Sequence, residues 1–213
     1  MAVEVKICGL TRPEDAAAAA AAGADFLGVV FAGGPRRIDV DRASQIVAAA
    51  GPRPVLGVFG TQPINDILRV CDNCGLAGAQ LHGAYSADDA IQLGARGLLV
   101  WRVLRLSSAD DLEQLHSTAI GADAVLVEPR LADADGGAGI PLPLALATEV
   151  RQRFKGRLVL AGGLRPESVG HAVGLVRPDA VDVSSGVEVL PGIKDTRKIE
   201  QFLEAVRGLS PVA

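Results

Sequence analysis

The feature that most constrains this chain is an unbroken alternation of two kinds of segment. Apolar runs of strand length stand at 3–8, 25–31, 54–59, 77–81, 97–103, 122–128, 158–161 and 179–183. Runs with helical spacing lie between them, near 12–22, 40–50, 63–74, 86–94, 108–118, 143–154 and 166–176, and a last one follows at 195–206. Strand then helix, repeated eight times, predicts parallel strands joined by crossover helices. Closed on themselves, eight such units make a (β/α)8 or TIM barrel, here at the small end of its size range. An open doubly wound sheet is the alternative. Such sheets usually carry a glycine-rich dinucleotide turn after the first strand, and "CGLTRPED" is not one. No linker or low-complexity stretch divides residues 1–213, so the chain reads as a single-domain barrel.

Local chemistry supports these boundaries. Pro13 and Glu14 suit a helical first turn, and Ser86 and Ser108 each precede acidic residues in the manner of N-caps. Asp25, Asp123 and Asp179 each stand just before an apolar run. They are read as a recurring helix-to-strand turn rather than as metal ligands.

Composition narrows the function classes. Hydrophobic residues make up 49% of the chain but aromatics only 3%, so the core must be built from small aliphatic side chains. A net charge of −4 argues against a broad nucleic-acid surface. It leaves room for a phosphorylated small molecule, since a few backbone N–H groups can hold one phosphate. No run of about 18 apolar residues points to a membrane span. "MAVEVK" lacks the apolar stretch of a secretion signal, and three cysteines suit a reduced cytoplasm.

Barrel enzymes build their sites at the C-terminal ends of strands. The first strand ends in Cys8, the fourth in His82 of "QLHG" and the sixth in Glu128. Strand alternation sets Val3, Val5 and Ile7 on one face and Glu4, Lys6 and Cys8 on the other. With the apolar set under the helices, Cys8 should face the mouth, where Lys6 one layer deeper would lower its pKa. A thiol opposite a carboxylic acid provides one base and one acid, the minimum for moving a proton within a substrate. Gly162-Gly163 and Ser184-Ser185-Gly186 follow the seventh and eighth strands, where barrels often cradle phosphate. The same alternation points Asp182 and Ser184 inward. Asp182 should meet Lys6 across the closing seam, because either charge alone would be costly to bury. The long connection 129–143 reads as a lid, with Asp133 and Asp135 as reserve acids. Cys71, Cys74, His116 and His171 fall on helices and read as packing or surface residues. Neither a metal nor a cofactor is expected.

Several stretches resemble the phosphoribosylanthranilate isomerases of tryptophan biosynthesis. They run in order from "KICGLTRPEDA" through "GADFLGVVF", "QLHG" and "GGAG" to "LAGGLRPESV" and "VDVSSGVEVLPGIKD". The resemblance implies a (β/α)8 enzyme that isomerises N-(5-phosphoribosyl)anthranilate by an Amadori rearrangement. It implies Cys8 as general base, and Glu128 as general acid where the family usually has an aspartate. It implies Arg36 as the partner of the anthranilate carboxylate and His82 in the substrate pocket. The phosphate would rest on the backbone around Gly163 and Ser185-Gly186. Gly34 replaces a usual serine, and "GGAGIPLPL" replaces a loop that normally continues to an aromatic. Two other functions compete: a histidine-pathway or dual-substrate aminoaldose isomerase, and a barrel that binds a phosphorylated ligand without catalysis. The first of these uses an aspartate base on strand one, which Cys8 argues against. Oligomeric state is not legible.

Overall fold

Every apolar run named above forms a strand in the computed structural model, which describes residues 2–130 and 141–208. The strands are β1 (Glu4–Ile7), β2 (Phe26–Val30), β3 (Val55–Phe59), β4 (Gly78–Leu81), β5 (Leu99–Leu106), β6 (Ala124–Pro129), β7 (Leu158–Leu160) and β8 (Ala180–Val183). The helices are α1 (Pro13–Ala22), α2 (Val40–Ala50), α3 (Ile64–Cys74), α4 (Ala87–Gly94), α5 (Leu115–Ala119), α6 (Leu144–Arg153), α7 (Pro166–Val176) and α8 (Thr196–Arg207). The strands pair in parallel in chain order and close between β8 and β1, where Lys6 stands opposite Asp182. The fold is the closed barrel, and the open sheet is excluded. Among the described residues no helix is long and apolar enough to cross a membrane.

Three details depart from the sequence reading. The fifth strand runs to Leu106, past the expected end at 103. The helical run 108–118 forms a 3₁₀ segment, Ala109–Gln114, before the short α5. An antiparallel ribbon follows β8, made of β9 (Glu188–Leu190) and β10 (Ile193–Lys194). Its strands are too short to show a period in sequence.

The recurring aspartates explain themselves. The Oδ2 atoms of Asp25, Asp123 and Asp179 accept hydrogen bonds from the backbone N–H groups of Val5 (2.9 Å), Val100 (2.8 Å) and Leu158 (2.8 Å). In each case the aspartate before one strand satisfies the N–H of its neighbour. A buried N–H without a partner is costly, so these carboxylates secure the lower rim. Helix starts follow the expected chemistry too: Ser86 and Asp89 form a reciprocal capping box at α4.

Two apolar layers result from strand alternation. Val5, Ile7, Leu27, Val29, Val127 and Val181 face outward and pack under the helices. Phe26, Leu56, Trp101, Leu126, Val159 and Ala180 fill the barrel interior. Into this interior the sequence sends a charge. Lys6 is fully buried, and its Nζ donates to Asp182 Oδ1 at 3.0 Å and Gln80 Oε1 at 2.9 Å. It also lies 5.6 Å from the centroid of the Trp101 ring. Burial disfavours the ammonium, but Asp182 and Cys8 outweigh it, and the Lys6 pKa is raised.

Lys6→Met should therefore destabilise the fold by about 3–5 kcal/mol in urea denaturation, because it leaves Asp182 charged and unpaired. Adding Asp182→Leu should recover most of that loss. Equal stability of the parent and Lys6→Met would refute the assignment.

Candidate functional site

The C-terminal ends of the strands bring most of the expected residues to one mouth. Cys8 follows β1 and is 7% exposed, its backbone N–H held by the Val183 carbonyl at 2.8 Å. The inward register expected from alternation is observed. Room for the thiol comes from Gly28 on the facing strand, where a Cβ would sit 2.8 Å from Cys8 Sγ and 3.0 Å from Lys6 Cε. The pKa expectation is corrected. Burial pushes the Cys8 thiol up and Asp182 adds to this, and together they outweigh Lys6 and Lys194. Cys8 rests as a thiol, and depth of burial is the reason.

Glu128, in β6, stands in register with Arg105 of β5. Its Oε1 accepts a hydrogen bond from Arg105 Nε at 3.1 Å and lies 3.4 Å from His82 Nε2. His82 is fixed by its backbone N–H to the Phe59 carbonyl at 2.9 Å. A cleft of about 330 Å³ opens at this side of the mouth, lined by Phe31, Arg37, Thr61, Gln62, His82 and Arg105. Phe31 stacks on Phe59 with centroids 5.1 Å apart, giving the cleft a flat aromatic wall.

Arg36 is not an unengaged cation awaiting a ligand. Its Nε and Nη2 donate to Glu188 Oε1 and Oε2 at 2.8 and 2.6 Å. Glu188 Oε1 also accepts from Lys194 Nζ at 2.8 Å and from the Gly192 N–H at 3.2 Å. Burial works against the Glu188 carboxylate, but Arg36 and Lys194 hold its pKa below the ordinary value. Lys194 is lowered by burial, which exceeds the opposing pull of Glu188. It reaches Ser184 as well, donating to the backbone carbonyl at 3.0 Å.

The two glycine loops lie against each other. A Cβ on Gly186 would fall 1.9 Å from the Leu164 carbonyl oxygen, so only glycine lets the loops after β7 and β8 meet. Gly162 and Gly163 take φ values of 93° and 63°, conformations that favour glycine and turn the backbone sharply after β7. Gly163, Ser184, Ser185 and Gly186 thus share one rim, beside Lys194. Asp182 sits below them, held by Lys6.

Cys71 and Cys74 pack inside α3, with the Cys71 thiol pushed up to about 12 mainly by burial. His116 and His171 are exposed on helices. Residues 131–140, which hold most of the expected lid with Asp133 and Asp135, lie outside the described residues. Sequence reasoning missed Arg105, Glu188, Lys194, Gln80 and Gly28. Gln80 could have been found from its place two residues before His82 on the inward face. Glu188 and Lys194 were in plain view within "GVEVLPGIK", but nothing local pairs them with Arg36.

Comparison with known proteins agrees with this geometry. The family model for N-(5'-phosphoribosyl)anthranilate isomerase matches residues 5–205. The enzyme of that name from Chlorobaculum tepidum is 43% identical over 212 residues, spanning 96% of this chain and 95% of the relative. The Pseudomonas aeruginosa enzyme is 41% identical over 208 residues, spanning 97% and 96%. The crystal structure of the Thermotoga maritima phosphoribosyl anthranilate isomerase superposes with a TM-score of 0.87 at 36% identity, covering 97% of this chain and all of that one. Another, in complex with reduced 1-(o-carboxyphenylamino)-1-deoxyribulose 5-phosphate, superposes with a TM-score of 0.85 at 35% identity, with 97% and 100% covered.

A raised thiol pKa has a direct readout. The rate of Cys8 alkylation by iodoacetamide, taken as the difference between the parent and Cys8→Ala, should rise with a midpoint above pH 9.0. Full reactivity at pH 7 would contradict the burial argument.

Proposed function

Because the chain belongs to the N-(5'-phosphoribosyl)anthranilate isomerase family, we propose that it converts N-(5-phosphoribosyl)anthranilate to 1-(2-carboxyphenylamino)-1-deoxyribulose 5-phosphate with Cys8 and Glu128 as base and acid. The observation that carries this reading is Cys8 itself, an inward thiol at the end of β1 with Lys6 beneath it. A thiol at that position sets the chain apart from the histidine-pathway isomerases, whose base there is an aspartate. The family match and the similarity to isomerases over nearly the whole chain disfavour that pathway and the purely binding barrel.

The chemistry follows from the positions. Glu128, anchored through Oε1 by Arg105, delivers a proton to the furanose ring oxygen. The C1′–O bond breaks as the anilino nitrogen lends its pair, giving an open-chain iminium. Cys8 removes the proton on C2′ from the minor fraction present as thiolate, its resting form being the thiol. The C2′–H electrons form the C1′–C2′ double bond and the iminium collapses to an enaminol, which tautomerises to the ketone. No atom is gained or lost. Lys6 stabilises the thiolate when it forms. The Phe31 wall suits the aromatic ring, and the rim around Gly163, Ser184, Ser185 and Gly186 suits the phosphate through backbone N–H groups. His82 helps to shape the pocket beside the acid. A phosphorylated small molecule is thus the partner, and a reducing cytoplasm would keep Cys8 as a thiol.

Complementation of a tryptophan auxotroph lacking this isomerase tests the activity. Cys8→Ala should lower kcat by roughly 10²–10⁴, the scale of a lost general base, with little change in thermal stability. Glu128→Gln should abolish most turnover, while Glu128→Asp should keep a measurable rate. Equal kcat for Glu128→Gln and the parent would place the acid elsewhere.

A further inference from the structure

Glu188 takes no part in the proton transfers, yet it is 92% buried at the mouth and binds two cations. It stands at the start of β9, two residues beyond the phosphate rim. Arg36 uses Nε and Nη2 for Glu188, the side-on face of the guanidinium. A guanidinium is a planar fork with five donors, so its Nη1–Nη2 end is left to grip a second carboxylate. The Arg36 stem is pinned as well. A Cβ on Gly9, the residue after Cys8, would fall 2.5 Å from Arg36 Cδ. The guanidinium is therefore held at the end of β1, beside the proposed base.

The charges add up to a purpose. One carboxylate shared by Arg36 and Lys194 leaves a net positive charge. Without Lys194 the Arg36–Glu188 pair would be neutral and would attract an anion weakly. Without Glu188 a long arginine side chain would have to be ordered by the ligand, at the cost of its rotamer freedom.

Resting on the functional reading above, we infer that Glu188 is a positioning residue. It aims the free end of Arg36 at the anthranilate carboxylate, while Lys194 offsets its charge so that Arg36 still presents a cation. A purely structural role predicts something different, namely equal weakening of every ligand when the cluster is broken.

The test compares two ligands by calorimetry: reduced 1-(o-carboxyphenylamino)-1-deoxyribulose 5-phosphate and its phenylamino counterpart without the carboxylate. The parent should prefer the carboxylated ligand by about 10- to 100-fold, the scale of one charged hydrogen-bonded contact. Glu188→Gln should cut that preference about tenfold and leave affinity for the decarboxylated ligand nearly unchanged. Lys194→Met should act in the same direction. In turnover, Glu188→Gln should raise KM more than it lowers kcat. Should Glu188→Gln fail to fold, Glu188→Asp keeps the charge on a shorter arm and should show part of the same loss of preference. An unchanged preference, or equal losses for both ligands, in an active enzyme overturns the inference alone. A parent that neither turns over N-(5-phosphoribosyl)anthranilate nor binds either ligand overturns the functional reading and the inference with it.

Discussion

The buried contact of Lys6 with Asp182 and Gln80 is the constraint around which the rest of the barrel is arranged. Stranding an ammonium in an apolar interior costs several kcal/mol, so a partner must reach it from another strand. Asp182 reaches it across the seam where β8 meets β1 and closes the sheet into a barrel. Gln80 reaches it from β4 on the far side. The same cation lies one layer beneath Cys8, so the interaction that closes the barrel also lies beside the proposed base. Space for it had to be cleared, and Gly28 clears it on the adjacent strand.

Most of this architecture was legible because the two periods differ so plainly. Apolar runs of four to seven residues and helical runs of nine to twelve leave few ways to divide the chain. The limit of β5 was not legible, because Arg102 and Arg105 interrupt the apolar run that would have marked it. The ribbon of β9 and β10 was too short to carry a pattern. In the site, alternation alone placed Lys6, Cys8 and Asp182 on the inner face, and the Lys6–Asp182 contact follows from closing the barrel. Arg36 shows where such reasoning stops. Its partner is 152 residues away, and only the folded rim brings the two together. The direction of the Cys8 pKa was missed for a related reason. A sequence shows which cation is near but not how much water is excluded, and here burial is the larger effect.

The mouth also restrains Glu128, the proposed acid, whose arm is one methylene longer than that of an aspartate. An extra methylene adds a rotatable bond, and an acid that wanders is a poor proton donor. Here the added freedom is restrained from two sides. Arg105 holds Oε1 from the neighbouring strand, and His82 approaches the same oxygen from the end of β4. Both neighbours are themselves placed by the barrel, Arg105 by its register with Glu128 and His82 by its bond to the Phe59 carbonyl. The position of the Glu128 carboxylate is therefore set by the strands around it more than by the length of its own arm. On the proposed reading, neighbours that fix one oxygen of this longer carboxylate leave the other to meet the substrate.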